Sequence, residues 1–424
     1  MATNATTTDA TATAVDATET REDERLKNGR VRHDAPYDGA VDNGANRSAR
    51  DPRMWSAFGL FFVQAFAFAA WLPRLPELKD RFDMTDGDVG LVLLALPVGL
   101  LTVIPIVGYA STRVSLRTLN LACMGWMLAA IPLVGLVDGQ VGLAIAILLI
   151  GMGAGSQGVA MNAAGFAAEE AMGRPILSRC HAMYSLGLAA GGLVAGLIAS
   201  VGVPIAMHLA ATNAVLFVGL LVIARAIVDA RKPSDDAPTF ALPTGALLVP
   251  GLIAMGCLMA EGVAVDWSSI FLADVLAAPA ALVGAGVATF SGAMAAMRFA
   301  GDWIAGRMGE RAIVGVGALV SALGYALTAA APNPPIAFVG FVLVGVGLAP
   351  IVPVAFRMAG RLSPNAPGVG VAAVSTLGYA GFLLGPAVVG LVSEATNLRW
   401  SFVSIATLLL AVTALSRRLK AKAA

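Results

Sequence analysis

Charged residues are scarce in this chain. Asp, Glu, Lys and Arg make up 13% of its 424 residues, while hydrophobic residues make up 58%. A soluble domain carries about 25% charged residues, because its surface must stay hydrated. The shortage excludes an ordinary soluble globule and predicts an all-α membrane protein, since helices satisfy their own backbone hydrogen bonds in lipid. The net charge of +1 gives no electrostatic reason to expect a nucleic-acid partner.

Cysteine and histidine are also rare, with three of each in the whole chain. Cys123, Cys180 and Cys257 stand apart in apolar stretches, which excludes a disulfide framework and the paired spacing of a zinc site. The chain has no His-Glu-x-x-His motif and no Gly-Lys-Ser/Thr phosphate loop. We therefore expect no metal, no cofactor and no enzymatic activity.

The start of the chain differs from the rest. It is polar, rich in Thr, Ala and Asp, and almost free of large apolar side chains. Such a segment cannot bury enough apolar surface to offset the entropy that it would lose on folding. We predict a disordered cytoplasmic tail over residues 1–52. Because the tail lacks the apolar core of a signal peptide, we expect the first membrane span to direct insertion.

Apolar windows of bilayer length recur from residue 54 onward. A helix needs about 20 mostly apolar residues to cross the hydrocarbon core. Two windows, 180–224 and 312–356, are long enough for two spans each, with turns near residues 200–204 and 332–335. The windows, which predict twelve spans, are 54–73, 89–112, 118–137, 139–168, 180–224, 237–260, 275–297, 312–356, 362–393 and 400–416.

A polar stretch after the sixth predicted span divides the chain into two six-helix bundles. We predict an N-terminal bundle over residues 53–228, a cytoplasmic loop over 229–243, a C-terminal bundle over 244–417 and a cytoplasmic tail over 418–424. Lys and Arg accumulate in the loops on one side, and the loops on the other side hold only four of them. We therefore expect a multi-pass protein of the inner membrane with both termini cytoplasmic.

The two bundles repeat one loop pattern at a constant spacing. Arg113 and Arg117 follow the second span, and Arg307 and Arg311 follow the eighth. The spacing is the same for both pairs, since 307 − 113 = 194 and 311 − 117 = 194. A parallel repeat of two six-helix halves predicts a pseudo-symmetric carrier with its substrate site between the halves, near the bilayer midplane.

Two acids lie in the seventh span. An ionisable side chain in mid-membrane is costly unless it is paired or hydrated, so Glu261 and Asp266 ask for an explanation. They are five residues apart, about 140° around a helix, and so do not form a close pair. We predict Glu261 as a substrate ligand or proton-coupling group and Asp266 as a second coupling candidate. A structural ion pair between Glu261 and Arg298 of the eighth span is the alternative.

Polar side chains also cluster on spans 4 and 5. Asn162 and Glu169 are seven residues apart and share a helix face, and His181 and Tyr184 begin the next span. We predict Asn162 and Tyr184 as cavity residues. Histidine titrates near neutral pH, so His181 joins Glu169 as a proton-coupling candidate. The alternative is that Glu169 and His181 are hydrated capping residues beside an inner loop.

Four more residues complete the predicted cavity. Gln64 lies near the middle of span 1, Trp71 lies close to its outer end, and Ser375 and Tyr379 lie one turn apart on span 11. An amide, two aromatic rings and a hydroxyl around a cavity suit a polar organic solute. The alternative is a set of hydrogen bonds between helices, each contributing about 0.6 kcal/mol.

The repeated arginine loops resemble the hallmark of a known transporter family. In the major facilitator superfamily (MFS), the loop after the second helix reads Gly-x3-Asp-Arg-x2-Gly-Arg-Arg. Gly108, Arg113 and Arg117 match its first copy here, while Thr112 and Gly306 stand at the Asp position of the two copies. The resemblance implies the MFS fold of two six-helix bundles.

Residues 54–416 also resemble the fucose-permease-like bacterial branch of that superfamily. The motifs that carry the likeness are Glu-Gly-x3-Asp-Trp-Ser from Glu261, Asn-x6-Glu from Asn162 and His-Ala-x-Tyr-Ser-x-Gly from His181. Proton coupling in the relatives depends on acids in the N-terminal half, whereas Gln64 is the polar residue of span 1 here. The residues that the resemblance places at or near the central path are Asn162, Glu169, His181, Tyr184, Glu261 and Arg298.

These observations predict a secondary active transporter that works by alternating access and is coupled to protons. Its substrate is expected to be a small organic solute, with a sugar-like molecule as one candidate. An efflux antiporter of the same fold is the alternative; a membrane-embedded enzyme or a transporter-like sensor is the alternative of another class. The expected partners are the substrate, a coupling proton and the lipid bilayer, and the expected state is a monomer.

Overall fold

The computed structural model describes residues 51–111, 113–228, 243, 245–305, 308–363 and 367–419, without the side chains of residues 300–305 and 367. The regular elements of this part of the chain are all helices. Most of the predicted N-terminal tail, most of the predicted loop between the bundles, Arg307 and the last five residues lie outside the described residues.

Twelve helices of the described part are long and apolar enough to cross a membrane, as predicted. We number them span 1 to span 12 in chain order. Their bounds are Pro52–Arg81, Asp86–Ser111, Leu116–Gly135, Gly139–Met172, Leu177–Ser200, Ile205–Ala226, Gly245–Val275, Ala280–Phe299, Glu310–Ala330, Pro334–Leu362, Gly368–Ala395 and Leu398–Ser416. This number and the helical content confirm the predicted fold class.

Polar caps and one glycine set the ends of several spans. The side chains of Ser115, Asn333 and Asn397 accept hydrogen bonds from backbone N–H groups at the start of spans 3, 10 and 12. Span 4 ends at Gly173, whose φ of +64° is a left-handed conformation that glycine adopts without strain. These contacts satisfy backbone groups that would otherwise be left unpaired at helix ends.

Some spans are longer than the charge-poor windows suggest. Span 7 reaches Val275, so Glu261 and Asp266 lie well inside it. Span 1 continues past a tight turn at Leu72–Arg74 into a second helical segment, Leu75–Arg81. A helix continues through isolated charged residues because its hydrogen bonds join backbone groups and do not depend on the side chains.

Side-chain contacts fix the spacing of helices within each half. In the C-terminal half, the Tyr325 hydroxyl donates to the backbone carbonyl of Ala260 and ties span 9 to span 7. In the N-terminal half, the buried amide of Gln157 donates to Asn120 at 2.9 Å and ties span 4 to span 3. Both contacts give buried polar groups a partner on a neighbouring helix, as lipid requires.

Two glycine contacts join the halves and are related by the internal repeat. A Cβ added to Gly90 of span 2 would lie 3.0 Å from the Cα of Gly390 on span 11. A Cβ added to Gly284 of span 8 would lie 3.1 Å from the backbone nitrogen of Gly196 on span 5. The positions obey the offset of the arginine loops, since 284 − 90 = 194 and 390 − 196 = 194. The two halves are therefore pseudo-symmetric in space as well as in sequence.

The halves close at one end of the bundle. Span 11 packs closely on Asp86–Leu93, the first segment of span 2, and much less on the following segment, Ala95–Ser111. In the predicted topology, the first segment of span 2 lies at the outer end. The protein is therefore closed at its predicted outer end, and spans 2 and 11 diverge toward the predicted inner end.

Candidate functional site between the halves

Arg298 of span 8 joins the two halves inside the bundle. Its Nη1 donates to the Ser185 hydroxyl and, at 3.4 Å, to the backbone carbonyl of His181, both on span 5. Its Nη2 lies 3.8 Å from Oε1 of Glu261 on span 7. The guanidinium thus makes hydrogen bonds to the N-terminal half and a looser ion pair within its own half.

Glu261 is held on a well-fixed stretch of span 7. The preceding residue, Ala260, accepts the Tyr325 hydroxyl from span 9. The next residue, Gly262, faces span 11 so closely that a Cβ there would lie 2.9 Å from the Phe382 ring. The Glu261 side chain is 17% exposed, so it is largely withdrawn from solvent yet reachable. A rigid support of this kind keeps a binding group in one geometry.

Asp266 differs from Glu261 in having no partner among the described residues. Its side chain is partly buried, and neither an ion pair nor a hydrogen bond reaches its carboxylate within that part of the chain. The hydroxyl of Tyr184 on span 5 lies near enough to Glu261, Arg298 and Asp266 to interact with their charges. Tyr184 of one half therefore lies within electrostatic range of both acids of the other.

His181 lies one turn before Ser185 on span 5. Its ring contacts Phe61 of span 1 edge-on, with centroids 5.1 Å apart. Its backbone carbonyl accepts from Arg298, while its ring nitrogens make no hydrogen bond within the described residues. His181 thus belongs to the cluster around Arg298 and keeps its ring nitrogens available.

Glu169 and Asn162 have local contacts instead. Oε2 of Glu169 accepts from the backbone nitrogens of Ile176 and Leu177, at 2.9 Å each, and so caps the start of span 5. The Asn162 amide donates to the carbonyl of Gly158 on its own helix at 2.8 Å. The capping alternative therefore describes the Glu169 contacts in this conformation, and the two side chains do not meet in a common cluster.

Gln64 and Trp71 are packed inside the bundle and face no open cavity in this conformation. Gln64 is 4% exposed, and its Nε2 donates to the carbonyl of Ala154 at 3.1 Å. Trp71 is fully buried, and its Nε1 finds no acceptor among the described residues. On span 11, Ser375 and Tyr379 are half-buried and make no hydrogen bond within the described part of the chain. These two hydroxyls remain free to meet a ligand.

A cavity of about 200 Å³ lies beside Arg298, where the start of span 5 meets the end of span 8. The sequence patterns predict no cavity at this place. The available signal was the pair Ser178-Arg179, which puts polar side chains in the first turn of an otherwise apolar span. The residues that line the cavity are Pro175, Ser178, Arg179, Arg298 and Phe299.

The arginines of the repeated loops lie away from this cluster. Arg113 stacks over the ring of Tyr109 at 4.4 Å, and Arg117 is exposed in the first turn of span 3. Arg311 is exposed at the start of span 9. Arg307 lies outside the described residues, so the pairing of the second loop is not described.

The site lies between two pseudo-symmetric six-helix halves, the architecture of a multi-pass carrier. A sequence profile of the Major Facilitator Superfamily matches residues 252–423. An uncharacterised MFS-type transporter of Yersinia pestis is 32% identical over 359 residues, which cover 84% of this chain and 93% of that protein. An uncharacterised transporter of Sinorhizobium fredii is also 32% identical, with coverage of 81% and 91%. The chain belongs to the major facilitator superfamily and is a membrane transporter.

Other relatives are more distant. The membrane protein MosC of Rhizobium meliloti is 27% identical, and the match covers 80% of this chain and 83% of that protein. A mutant of the nucleoside transporter NupG superimposes with a TM-score of 0.71 at 16% identity, covering 87% of this chain and all of that one. An inward-facing bacterial homologue of the human lysosomal transporter Spinster gives 0.67 at 16% identity, covering 89% and 97%. The two structures show that the fold is shared.

Proposed function

We propose that this protein is a secondary active transporter that moves a small polar solute by alternating access and is coupled to protons. The observation that carries the proposal is the position of Arg298, which contacts Ser185 in one half and Glu261 in the other. A group shared by two halves responds to whatever binds between them. The contacts of Arg298 therefore link the content of the site to the arrangement of the halves.

Coupling to protons follows from the loose pair between Glu261 and Arg298. When Glu261 is charged, it attracts Arg298 at 3.8 Å and competes with the contacts to span 5. A proton on Glu261 removes that attraction and leaves Arg298 to Ser185 and to the carbonyl of His181. Because the two protonation states favour different contacts between the halves, proton binding shifts the conformational equilibrium.

The other predicted coupling residues receive unequal support. Asp266 is the second candidate, because it is partly buried and without a partner among the described residues. His181 is the third, because its ring lies beside the Arg298 cluster. Glu169 has the least support, since its carboxylate already accepts two backbone N–H groups.

The substrate is proposed to be a small solute with several hydroxyl groups. The half-buried hydroxyls of Ser375 and Tyr379, together with Tyr184, suit such a molecule. The resemblance to fucose-permease-like carriers favours a sugar, and the shared fold of the nucleoside transporter NupG adds a nucleoside as a candidate.

A second candidate substrate is a small organic anion. Arg179 and Arg298 line the same cavity, and two guanidinium groups favour a carboxylate. The human organic anion transporter MFSD10 has the same fold, with a TM-score of 0.59 at 17% identity. In this reading, an efflux antiporter would exchange the anion for protons.

The predicted placement of the chain completes the proposal. We propose that it acts as a monomer in the inner membrane, with both termini and the loop between the bundles in the cytoplasm. The support for this orientation is the accumulation of Lys and Arg in the loops of one side, which orients membrane proteins during insertion.

Transport in proteoliposomes tests the proposal. Thermal melting of the purified protein with uridine, L-fucose, gluconate and sorbitol first selects a probe, with sorbitol as the neutral counterpart of gluconate. Accumulation of the labelled probe is then measured with and without a pH gradient. We expect accumulation only with the gradient. Equal uptake in both conditions would exclude proton coupling and leave a uniporter.

The variant Glu261→Gln tests the coupling residue. It keeps the size of the side chain but cannot exchange a proton, so we expect it to retain counterflow and to lose accumulation driven by the pH gradient. Asp138→Asn is the control, because that carboxylate is 95% exposed. Accumulation by Glu261→Gln with the pH dependence of the wild type would refute the assignment.

A further inference from the structure

Lys79 makes two short ion pairs at the predicted outer end, and one of them crosses between the halves. Its Nζ lies 2.6 Å from Oδ1 of Asp86 at the start of span 2. The same Nζ lies 2.6 Å from Oδ2 of Asp274 near the end of span 7. The Lys79 side chain is only 16% exposed, so this ammonium group is largely removed from water. Charge-assisted contacts of this length are stronger than neutral hydrogen bonds.

Two contacts from span 11 extend this network. The Ser393 hydroxyl donates to Oδ2 of Asp86, the oxygen that Lys79 leaves free. The adjacent residue, Glu394, accepts from the backbone nitrogen of Gly87 at 3.1 Å. Three polar contacts therefore cross between the halves beside the packing of span 2 on span 11. We call Lys79, Asp86, Asp274, Ser393 and Glu394 the outer latch.

The internal repeat shows that the outer latch accompanies only one of the two glycine contacts, the one between Gly90 and Gly390. Both contacts are built from the same backbone geometry, Gly90 with Gly390 and Gly284 with Gly196. The repeat offset, however, maps three of the five latch residues onto alanines. Shifting Lys79, Asp86 and Ser393 by 194 positions gives Ala273, Ala280 and Ala199. The latch is thus an addition to the shared architecture, and packing of the halves does not require it.

We propose that Lys79 is a positioning residue that holds the predicted outer mouth closed and thereby sets the population of the outward-open state. Both of its carboxylate partners contact one nitrogen, so they lie close together across the boundary between the halves. Without the lysine charge, Asp86 and Asp274 would repel each other at that boundary. Loss of Lys79 therefore both removes attraction and adds repulsion, and the mouth opens. This inference rests on the proposed alternating access, but it concerns only the opening at the predicted outer end.

A single cysteine can report this opening. Val287 of span 8 is fully buried and faces span 5, where a Cβ on Gly192 would lie 3.1 Å from its Cβ. The reporter Val287→Cys is placed in a background whose three buried native cysteines are replaced by alanine. Its labelling by a maleimide in the purified protein measures how often the mouth opens. No substrate is needed, so the result is independent of the transport assay.

We expect Lys79→Met to raise the labelling rate of the reporter about tenfold, which corresponds to about 1.4 kcal/mol. Asp274→Asn also removes the crossing ion pair and should raise the rate, while Lys79→Arg should restore most of the closure. The control is Arg81→Met, because Arg81 pairs with Asp138 of its own half. It removes a cation from the same end without breaking a contact between the halves.

The two variants and the control together decide the proposal. Labelling of Lys79→Met and Asp274→Asn at the wild-type rate would overturn it. An equal rise in Arg81→Met would also overturn it, since the effect would then be one of general charge. If Lys79→Met does not fold, Asp274→Asn and Ser393→Ala carry the same test, because both leave the lysine in place. Loss of transport with unchanged labelling would count against the latch and not against the proposed transport function.

Discussion

At the scale of single residues, the proposed site is organised around the guanidinium of Arg298. Arg298 directs separate nitrogens to the two halves, with Ser185 and the His181 carbonyl on one side and Glu261 on the other. The planar group with five N–H donors allows this division, whereas an ammonium group is a single point charge. A charge at this depth is costly, and these partners offset that cost.

This division of contacts predicts the behaviour of Arg298→Lys. The lysine keeps the charge but loses at least one hydrogen bond, and a hydrogen bond to a charged group contributes about 1.5–3 kcal/mol. We therefore expect a fall of about 10- to 100-fold in the rate of probe transport, measured by initial uptake in proteoliposomes. Arg81→Lys, at an exposed ion pair within one half, should transport like the wild type. A wild-type rate for Arg298→Lys would mean that its charge alone suffices.

At the scale of the helix, two pairs of glycines determine how closely the halves approach. Gly90 meets span 11 and Gly284 meets span 5, in both cases against backbone atoms that cannot rotate away. A close backbone approach of this kind is how small residues pack membrane helices. At these glycines no side chain stands between the backbones, so the helices can approach closely.

A single methyl group at this contact should therefore hinder closure. In Gly90→Ala, the new Cβ would lie 2.7 Å from the carbonyl oxygen of Pro386, and such overpacking costs about 1–3 kcal/mol. We expect a lower melting temperature and faster labelling of the Val287→Cys reporter. Gly108→Ala is the matched control on the same span, since nothing lies within 4 Å of its Cβ. Similar behaviour of the two variants would show that the contact does not limit closure.

At the scale of the whole molecule, the topology decides which end faces which compartment. The end that carries the outer latch is the outer one only if both termini are cytoplasmic. The side chain of Asp138, between spans 3 and 4, is 95% exposed and should face outward in that topology. Ser234 belongs to the predicted cytoplasmic loop between the bundles, outside the described residues.

Single cysteines at these two positions test the topology. In a background without the native cysteines, a membrane-impermeant maleimide on intact cells should label Asp138→Cys and leave Ser234→Cys unlabelled. Both should be labelled once the cells are permeabilised, because the barrier is then removed. The reverse pattern on intact cells would show that the topology is opposite to the predicted one and that the outer latch lies at the cytoplasmic side.

The sequence by itself determined the number of spans, the division into halves and the offset of 194 residues. These features follow from hydropathy, because a chain in lipid must arrange its few charges at intervals set by bilayer thickness. It also identified Glu261 and Asp266 as residues to explain, since any ionisable group in mid-membrane is unusual. For Glu261, the sequence alone does not distinguish substrate binding, proton coupling and a structural ion pair.

Only the tertiary structure decided which side chains meet. Ser185 and Arg298 are 113 residues apart, and Asp86 and Ser393 are 307 apart. No local pattern encodes such contacts, because helix periodicity specifies a face and not the helix that the face will meet. The burial of Trp71 depends likewise on neighbours that folding brings together. Hydropathy is a local property of the sequence and can be read from it. Contacts between distant helices are set only when the chain folds.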